Sequence, residues 1–214
     1  MLDDLPIGTD GRRRCWWAAG SPLLERYHDD EWGRGPRDER GLFERLSLEA
    51  FQAGLSWRLV LERREVLRSA FSGFDPATLV NLESGADGAD VDRILRTEGI
   101  IRNRAKVAAV LHNAQVLRSL HAGGEGLAML TEAALAAHPL PHDAPPPRRR
   151  SDVPSRSAAS ETLAALLRER RWRFVGPTTA YAFLQAAGWV DDHLEGCHAR
   201  LRPGARGGLG GGLG

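Results

Sequence analysis

Apolar side chains recur along most of this chain at intervals of three and four residues, which is the period of an α-helix. The clearest apolar stripe follows Asp38 and consists of Leu42, Leu46, Ala50 and Ala53. One carboxylate, Glu49, lies on the same stripe. No stretch alternates apolar and polar residues in the manner of a half-buried β-strand. The pattern therefore predicts an all-α fold.

Residues that cap helices mark where the predicted helices begin. Asp38 and Ser56 each precede an apolar stretch, and Asp75 stands before a proline that suits a first helical turn. The apolar side that follows Ser56 extends to Phe71, which indicates one continuous helix. Further helices are predicted from about Asp90 to Gly99, from Arg102 to Leu120, after Ser160, and from Pro177 to just before Gly188.

Two stretches differ in composition from the helical parts. Residues 138–157 are rich in proline and arginine, which predicts a loop or linker. Residues 203–214 are dominated by glycine and have nothing to bury, which predicts a disordered tail. We therefore expect an N-terminal extension of residues 1–13, a compact helical domain of residues 14–202 with two lobes around a pocket, and that tail.

Composition narrows the class of protein. The 29 Lys and Arg residues nearly balance the 28 Asp and Glu residues, but eight arginines face only three acidic residues between Arg148 and Arg173. This uneven distribution predicts one basic face on a nearly neutral protein. No apolar run approaches the roughly 20 residues of a membrane span, and the N-terminus lacks the pattern of a signal peptide. We expect a cytoplasmic protein without a membrane partner.

The two cysteines, Cys15 and Cys197, lie near opposite ends of the chain. A disulfide is disfavoured in a reducing compartment, so metal ligation or burial is the expected use of these thiols. His193 precedes Cys197 by four residues, and on a helical turn this spacing lets two side chains share an ion. With His28 they form a closed tetrahedral set suited to structural zinc. The commoner alternative is a buried cysteine beside a packed histidine.

Glu49 is the most informative single residue, because a buried carboxylate costs free energy unless it is paired or bonded. It either forms a salt bridge with an arginine or serves as a pocket carboxylate that accepts hydrogen bonds from a ligand. Trp57 follows the bend at 53–56, so we expect it near Glu49. Further aromatic residues crowd the N-terminal segment: Trp16, Trp17, Tyr27 and Trp32. Aromatic residues are more often core than ligand clamp, but with a carboxylate they suit a flat, cationic ring.

A tight Gly-Pro turn at Gly176 and Pro177 joins two apolar helical stretches. The second helix offers free backbone N–H groups at its start, and such an end can bind a phosphate without reading sequence. Four arginines flank the turn and would attract DNA: Arg168, Arg170, Arg171 and Arg173. An ordinary helix–loop–helix corner explains the same residues equally well.

Four separate motifs occur together along the chain. They are YHDDEWG at 27–33, LEAFQAGLSW at 48–57, GIIRNRAK at 99–106, and FVGPTTAY at 174–181 with DDHLEGC at 191–197. On these motifs the chain resembles the Tag-type DNA-3-methyladenine glycosylase I family of the helix-hairpin-helix superfamily. The resemblance extends from about Arg14 to Cys197. It implies a compact all-helical fold with a cleft that faces DNA.

The resemblance also implies roles for individual residues. One structural Zn²⁺ would be held by Cys15, His28, His193 and Cys197. Glu49 and Tyr27 would recognise the base and serve catalysis, Trp57 would stack on the extruded base, and Trp17 and Trp32 would line the pocket. Leu55 would enter the gap that the flipped nucleotide leaves in the duplex. Gly176, Thr178 and Thr179 would contact the DNA backbone.

The implied reaction is hydrolysis of the glycosidic bond of 3-methyladenine in double-stranded DNA by a monomer. Methylation at N3 makes the base cationic and a good leaving group, so the enzyme must extrude the nucleotide, hold the base and admit water. A bifunctional glycosylase/lyase for oxidised bases is one alternative, but it needs an amine in the hairpin, and the only lysine, Lys106, lies elsewhere. The other alternative is a DNA-binding module of the same fold without turnover.

Asp191 stands where other helix-hairpin-helix glycosylases have a catalytic aspartate, although this family does not generally rely on one. The sequence is compatible with two roles for Asp191. Asp191 either assists the reaction electrostatically or caps a turn beside the zinc ligands, and we favour the turn.

Overall fold

The structure, a computed structural model, describes residues 4–35, 37–82, 88–139 and 145–200. The helices within these ranges are α1 (Pro22–Asp30), α2 (Glu39–Gln52), α3 (Trp57–Glu62), α4 (Arg64–Ala70), α5 (Pro76–Leu79), α6 (Ala89–Leu95), α7 (Arg104–Ala122), α8 (Leu127–Ala137), α9 (Ala158–Glu169) and α10 (Pro177–Ala186). Short 3-10 turns span Ser72–Phe74 and Arg150–Asp152. The described residues form no strand beyond an isolated bridge between Ile7 and Arg13, so the prediction of an all-α fold is confirmed.

Three predicted caps are confirmed by their hydrogen bonds. Asp38 accepts from the backbone N–H of Gly41 at 2.9 Å, and Ser56 accepts from that of Leu59 at 3.2 Å. Asp75 caps α5 through the N–H of residue 77 at 3.1 Å. The last predicted helix also has its expected start, because α10 begins at Pro177. Local side-chain chemistry was therefore sufficient to place these helix starts.

Several predicted boundaries were wrong. The helix after Ser56 is interrupted at Arg63, which ends α3 and precedes α4. The helix placed after Ser160 begins at residue 158, because Ser157 is the cap and Ser160 completes a capping box as the third helical residue. The helix placed from residue 102 begins at 104, after the cap Asn103. Two helices, α1 and α8, were not predicted at all.

The proline-rich stretch 138–157 is irregular where the structure describes it, apart from the turn at Arg150–Asp152. Residues 140–144 of this stretch and the predicted tail at 203–214 lie outside the described residues. No helix in the described ranges has the length and apolar character to cross a membrane. The division at residues 13 and 202 stays a prediction.

Helix α2 lies at the centre of the main core. It packs against α3, α7, α8 and α10. Its fully buried Leu42, Phe43 and Phe51 belong to one apolar cluster with buried side chains of α7 and α10, including Leu111 and Phe183. Burial of each such side chain stabilises the fold by about 1.5–3 kcal/mol. Because α2 is held on several sides, Glu49 on the same helix has a fixed position.

A second, smaller cluster joins the two ends of the described chain. Cys15, Leu194 and Cys197 are buried there beside the half-buried Leu5. The backbone N–H of His198 donates to the carbonyl of residue 13 at 3.0 Å, so the N- and C-terminal segments also meet through their backbones. This arrangement brings cysteines that are far apart in sequence into one buried cluster.

Candidate functional site

A pocket of about 410 Å³ opens where α1, α2, α3 and α10 meet. Its walls carry five aromatic residues, one carboxylate and a few polar groups. They are formed by Trp16, Trp17, Leu24, Tyr27, Trp32, Glu49, Gln52, Ser56, Trp57, Arg58, Ala182 and Gln185. The structure thus brings all five residues that the sequence assigned to base binding into one cavity. It also adds residues that no spacing had indicated, such as Gln52, Ala182 and Gln185.

Glu49 lies in this pocket and is only 6% exposed. Among the described residues, no hydrogen bond or ion pair engages its carboxylate. Arg64, whose charge acts on the neighbouring Tyr27, pairs with Glu31 and Glu44, at 2.5 and 2.8 Å. Removal from water raises the pKa of Glu49 to about 8. The salt-bridge alternative is therefore wrong for the described residues, and the carboxylate is available to bind a ligand in the pocket.

Tyr27 is buried beside Glu49, at 7% exposure. Its ring lies 5.2 Å from that of Trp57, centroid to centroid, in a tilted arrangement. Burial raises the pKa of the Tyr27 phenol well above its ordinary value, and the negative charge of Glu49 raises it further. The hydroxyl therefore stays protonated at neutral pH and is able to donate a hydrogen bond.

The remaining wall of the pocket is made by Trp17 and Trp32, whose rings meet edge to face at 5.0 Å. Trp32 also contacts His193 at 4.5 Å between ring centroids, and Trp17 contacts His28 at 5.2 Å. The pocket wall is thus shared with the cysteine–histidine cluster. Aromatic faces around a carboxylate suit a flat ring that carries positive charge.

One of the predicted DNA contacts, Leu55, lies beside the mouth of the pocket. Leu55 is 36% exposed on the bend between α2 and α3, next to Ser56, which lines the cavity. Glycine is needed in this bend because Gly54 has a φ of +78°. The exposed leucine beside a pocket mouth has the geometry that a wedge requires.

The start of α10 lies about one and a half helical turns before Ala182, a pocket residue. The backbone N–H groups of Thr178 and Thr179 lie in the first turn and have no intrahelical partner, and Gly176 has no side chain to cap them. A seven-residue link at 170–176 connects α9 to α10, and the two helices pack against each other. This helix end is able to bind an anion near the pocket.

The predicted metal ligands lie together, and all four are buried. Their ligand atoms, from Cys15, His28, His193 and Cys197, lie within 4.8 Å of one another. Sγ of Cys197 is 3.4 Å from Nε2 of His28 and 3.5 Å from Nδ1 of His193, and Sγ of Cys15 is 3.8 Å from the same Nδ1. Zinc bonds of about 2.3 Å to sulfur and about 2.1 Å to nitrogen at a tetrahedral angle put these atoms about 3.6 Å apart. The cluster fits one zinc ion.

The segment that carries two of these ligands is not helical, although a helical turn was predicted for His193 and Cys197. It forms consecutive turns after α10 instead. Asp191 accepts the backbone N–H of His193 at 3.2 Å and does not line the pocket, which fits the turn-capping role. Asp29 accepts from Nδ1 of His28 at 2.8 Å and so directs Nε2 toward the cysteine. The turns, and not a helical spacing, bring His193 and Cys197 to the same cluster, so the predicted helical turn was wrong.

The comparisons with known proteins agree with this geometry. Residues 17–200 match the family model described as methyladenine glycosylase. The DNA-3-methyladenine glycosylase of Haemophilus influenzae is 38% identical over 184 residues, covering 86% of this chain and 96% of that protein. The DNA-3-methyladenine glycosylase 1 of Escherichia coli K12 is also 38% identical over 184 residues, covering 86% and 95%.

A crystal structure of a 3-methyladenine DNA glycosylase I is similar throughout, with a TM-score of 0.80 and 38% identity. The matched region covers 88% of this chain and 100% of the chain in that crystal structure. The resemblance drawn from the motifs is thereby confirmed. This chain belongs to the methyladenine glycosylase family.

Proposed function

We propose that this protein is a monofunctional DNA glycosylase that hydrolyses the N-glycosidic bond of 3-methyladenine in DNA and leaves an abasic site. The observation that carries the proposal is the buried carboxylate of Glu49, which has no partner among the described residues and lies among aromatic side chains. The relatives in Haemophilus influenzae and Escherichia coli bear the name of this activity.

The base is selected by charge and shape. An N3-methylated adenine is cationic in the nucleotide, so its entry favours the ionised form of Glu49 and offsets the cost of burying that charge. A normal, neutral adenine leaves the same carboxylate without compensation. Trp57 and Tyr27 contact each other beside Glu49 and provide the faces on which the flipped ring stacks. Trp17 and Trp32 close the far wall.

Catalysis rests on holding a weakened bond in position. The methylated base already leaves readily, so strong protonation by the enzyme is not needed. The pocket keeps the base extruded while water attacks the sugar, whose developing positive charge is favoured by a nearby carboxylate. Glu49 and Tyr27 are the groups we assign to this step. A damaged base also flips more easily than a paired one, by up to a few kcal/mol.

The DNA is held at two places on the pocket rim. Leu55 fills the gap left by the flipped nucleotide. The link at 170–176 with α9 and α10 forms the helix-hairpin-helix anchor, in which the backbone at Gly176, Thr178 and Thr179 meets a phosphate. Both contacts are independent of sequence, as a repair enzyme that searches DNA requires. We propose a monomer that acts on duplex DNA in the cytoplasm.

A structural zinc ion completes the proposed protein. Cys15, His28, His193 and Cys197 would hold it, and a full shell of four protein ligands leaves no place for a reacting water. The ion supplies a cross-link between the two ends of the chain and no chemistry at the base. The contacts of Trp17 and Trp32 with the histidines carry this rigidity to the pocket wall.

One assay separates this function from its alternatives. Purified protein is incubated with a methylated DNA duplex, and the released base and the state of the strand are measured. Free 3-methyladenine with an unbroken abasic strand is the expected result. Strand breaks that form without alkali treatment would indicate a lyase. The burial of Lys106 outside the pocket already disfavours that activity. Binding without release would indicate a non-catalytic module and overturn the proposal.

A further inference from the structure

Lys106 is the one lysine of the chain, and the proposed reaction does not use it. It lies in the first turn of α7, is 5% exposed and does not line the pocket. Burial lowers the pKa of its ammonium group below the ordinary value. A cation kept at a buried position costs free energy unless it makes strong hydrogen bonds. The contacts of this ammonium group are therefore informative.

The Lys106 ammonium donates two hydrogen bonds to the end of α2. Nζ lies 2.9 Å from the carbonyl oxygen of Phe51 and 2.5 Å from that of Ala53. Ala53 is the C-cap residue directly after α2, and the last carbonyls of a helix have no intrahelical partner. A cation at this end also meets the negative pole of the helix. One side chain thus caps α2 from a different helix.

The bend at 53–56, which follows this cap, is exposed and makes few hydrogen bonds to the rest of the described structure. Residues 53–56 are all exposed, and Gly54 adds backbone freedom. Within the bend, the N–H of Leu55 donates to the carbonyl of residue 52 at 2.7 Å. Lys106 is the only side chain from another helix that hydrogen-bonds this stretch, 51–56, in the described part of the chain. Within these residues, Lys106 links the backbone just before Leu55 to the body of the fold.

We propose that Lys106 is a positioning residue that fixes the bend at 53–56, so that Leu55 stands ready to enter the duplex. The inference rests on the proposed function, because insertion of Leu55 is part of it. A wedge that is ordered before binding loses less conformational entropy when DNA arrives. Lys106 acts through the backbone of the bend and touches neither the base nor the sugar.

The kinetic test uses Lys106→Met, Leu55→Ala and the double variant on a methylated duplex. We expect Lys106→Met to lower kcat/KM about 10- to 100-fold and to leave the affinity for free 3-methyladenine within about twofold. Because both residues act through one wedge, the double variant should lose no more than about threefold beyond the worse single variant. Lys106→Arg, which keeps a cation with several N–H donors, should recover most of the activity.

Two controls keep the test specific. Leu117→Ala removes a buried side chain from the same helix, α7, away from the bend, so it lowers stability without lowering excision at a temperature where it is folded. Independent losses that multiply in the double variant would overturn the proposal. Wild-type excision by Lys106→Met, or an equal loss of free-base affinity, would overturn it as well.

A structural measurement separates this inference from the function on which it rests. Backbone amide hydrogen exchange at residues 54–57 should be at least tenfold faster in Lys106→Met than in the wild type, and unchanged in Leu117→Ala. If exchange at the bend stays the same, the inference fails even when excision is observed. If exchange increases but the wild-type protein releases no 3-methyladenine, the proposed function fails, and the positioning of the bend by Lys106 is still supported.

Discussion

Replacing Glu49 by glutamine should make the protein more stable while it loses activity. The Glu49 carboxylate is buried in the pocket and has no partner among the described residues, and its pKa is raised from 4.5 to about 8. A group with a raised folded pKa stabilises the protein only while it is protonated. Its contribution is therefore complete below pH 4.5 and is lost as the pH rises toward 8.

The size of the effect follows from the two pKa values. The pKa of Glu49 is about 4.5 in the unfolded chain and about 8 in the folded protein. At pH 7.5 this difference lowers the free energy of unfolding by up to about 4 kcal/mol. Glutamine has a similar shape and no charge to bury, so Glu49→Gln should gain about 2–4 kcal/mol at pH 7.5 and close to nothing at pH 4.5. For a domain of this size the gain corresponds to a rise in Tm of about 5–15 °C.

Glu44 provides the matched control, because it lies on the same helix but is paired. Its carboxylate accepts from Arg64 and Arg68, each at 2.8 Å. Glu44→Gln should therefore lower the stability by about 1 kcal/mol, the opposite sign. Thermal unfolding of both variants from pH 4.5 to 8 tests the argument. If Glu49→Gln destabilises the protein at pH 7.5, or its gain does not grow with pH, the reasoning about an unpaired carboxylate is refuted.

Three other predictions concern pH, metal and a distant cap. Below about pH 8, kcat/KM for excision should rise with pH as Glu49 in the free enzyme ionises, and a Glu49→Gln profile with the same rising limb would contradict this. Metal analysis should find one zinc per chain, and a strong chelator should lower Tm. Equal Tm values with and without the metal would contradict the proposed cross-link between the two ends of the chain. Glu39→Gln should lower the free energy of unfolding in urea by about 1–2 kcal/mol and leave excision unchanged. The reason is that Glu39 accepts the backbone N–H groups of Leu127 and Ala128, each at 2.9 Å, at the start of α8. A loss of excision would contradict the separation of this cap from the pocket.

The pocket and the buried cysteine–histidine cluster share aromatic walls, so the proposed zinc ion would affect the pocket as well as the stability of the fold. Trp32 lies 4.5 Å from His193 and 5.0 Å from Trp17, centroid to centroid. Removal of the ion should therefore loosen one side of the pocket and weaken binding of the free base. Glu49 and Trp57 lie on α2 and α3, respectively, and within the described residues make no ring contact with the cysteine–histidine cluster, so this side of the pocket should keep its form.

The sequence by itself determined those features that depend on neighbours along the chain. The helical class follows from the spacing of apolar residues, and the caps Asp38, Ser56 and Asp75 follow from side chains that reach their own backbone two or three residues on. The family follows from motifs that are contiguous in sequence. These features need no knowledge of the tertiary fold.

Only the tertiary structure decided which groups meet across the chain. The stripe around Glu49 is the same whether an arginine or an empty pocket lies opposite, and the choice depends on where Arg64 finds its partners. The cap of α8 by Glu39 and the cap of α2 by Lys106 likewise depend on contacts between residues 53 or more positions apart, and the non-helical turns at His193 depend on the curvature of the backbone. Periodicity describes which face of an element is apolar, but it does not contain the position of the facing element, and that position determines every long-range hydrogen bond.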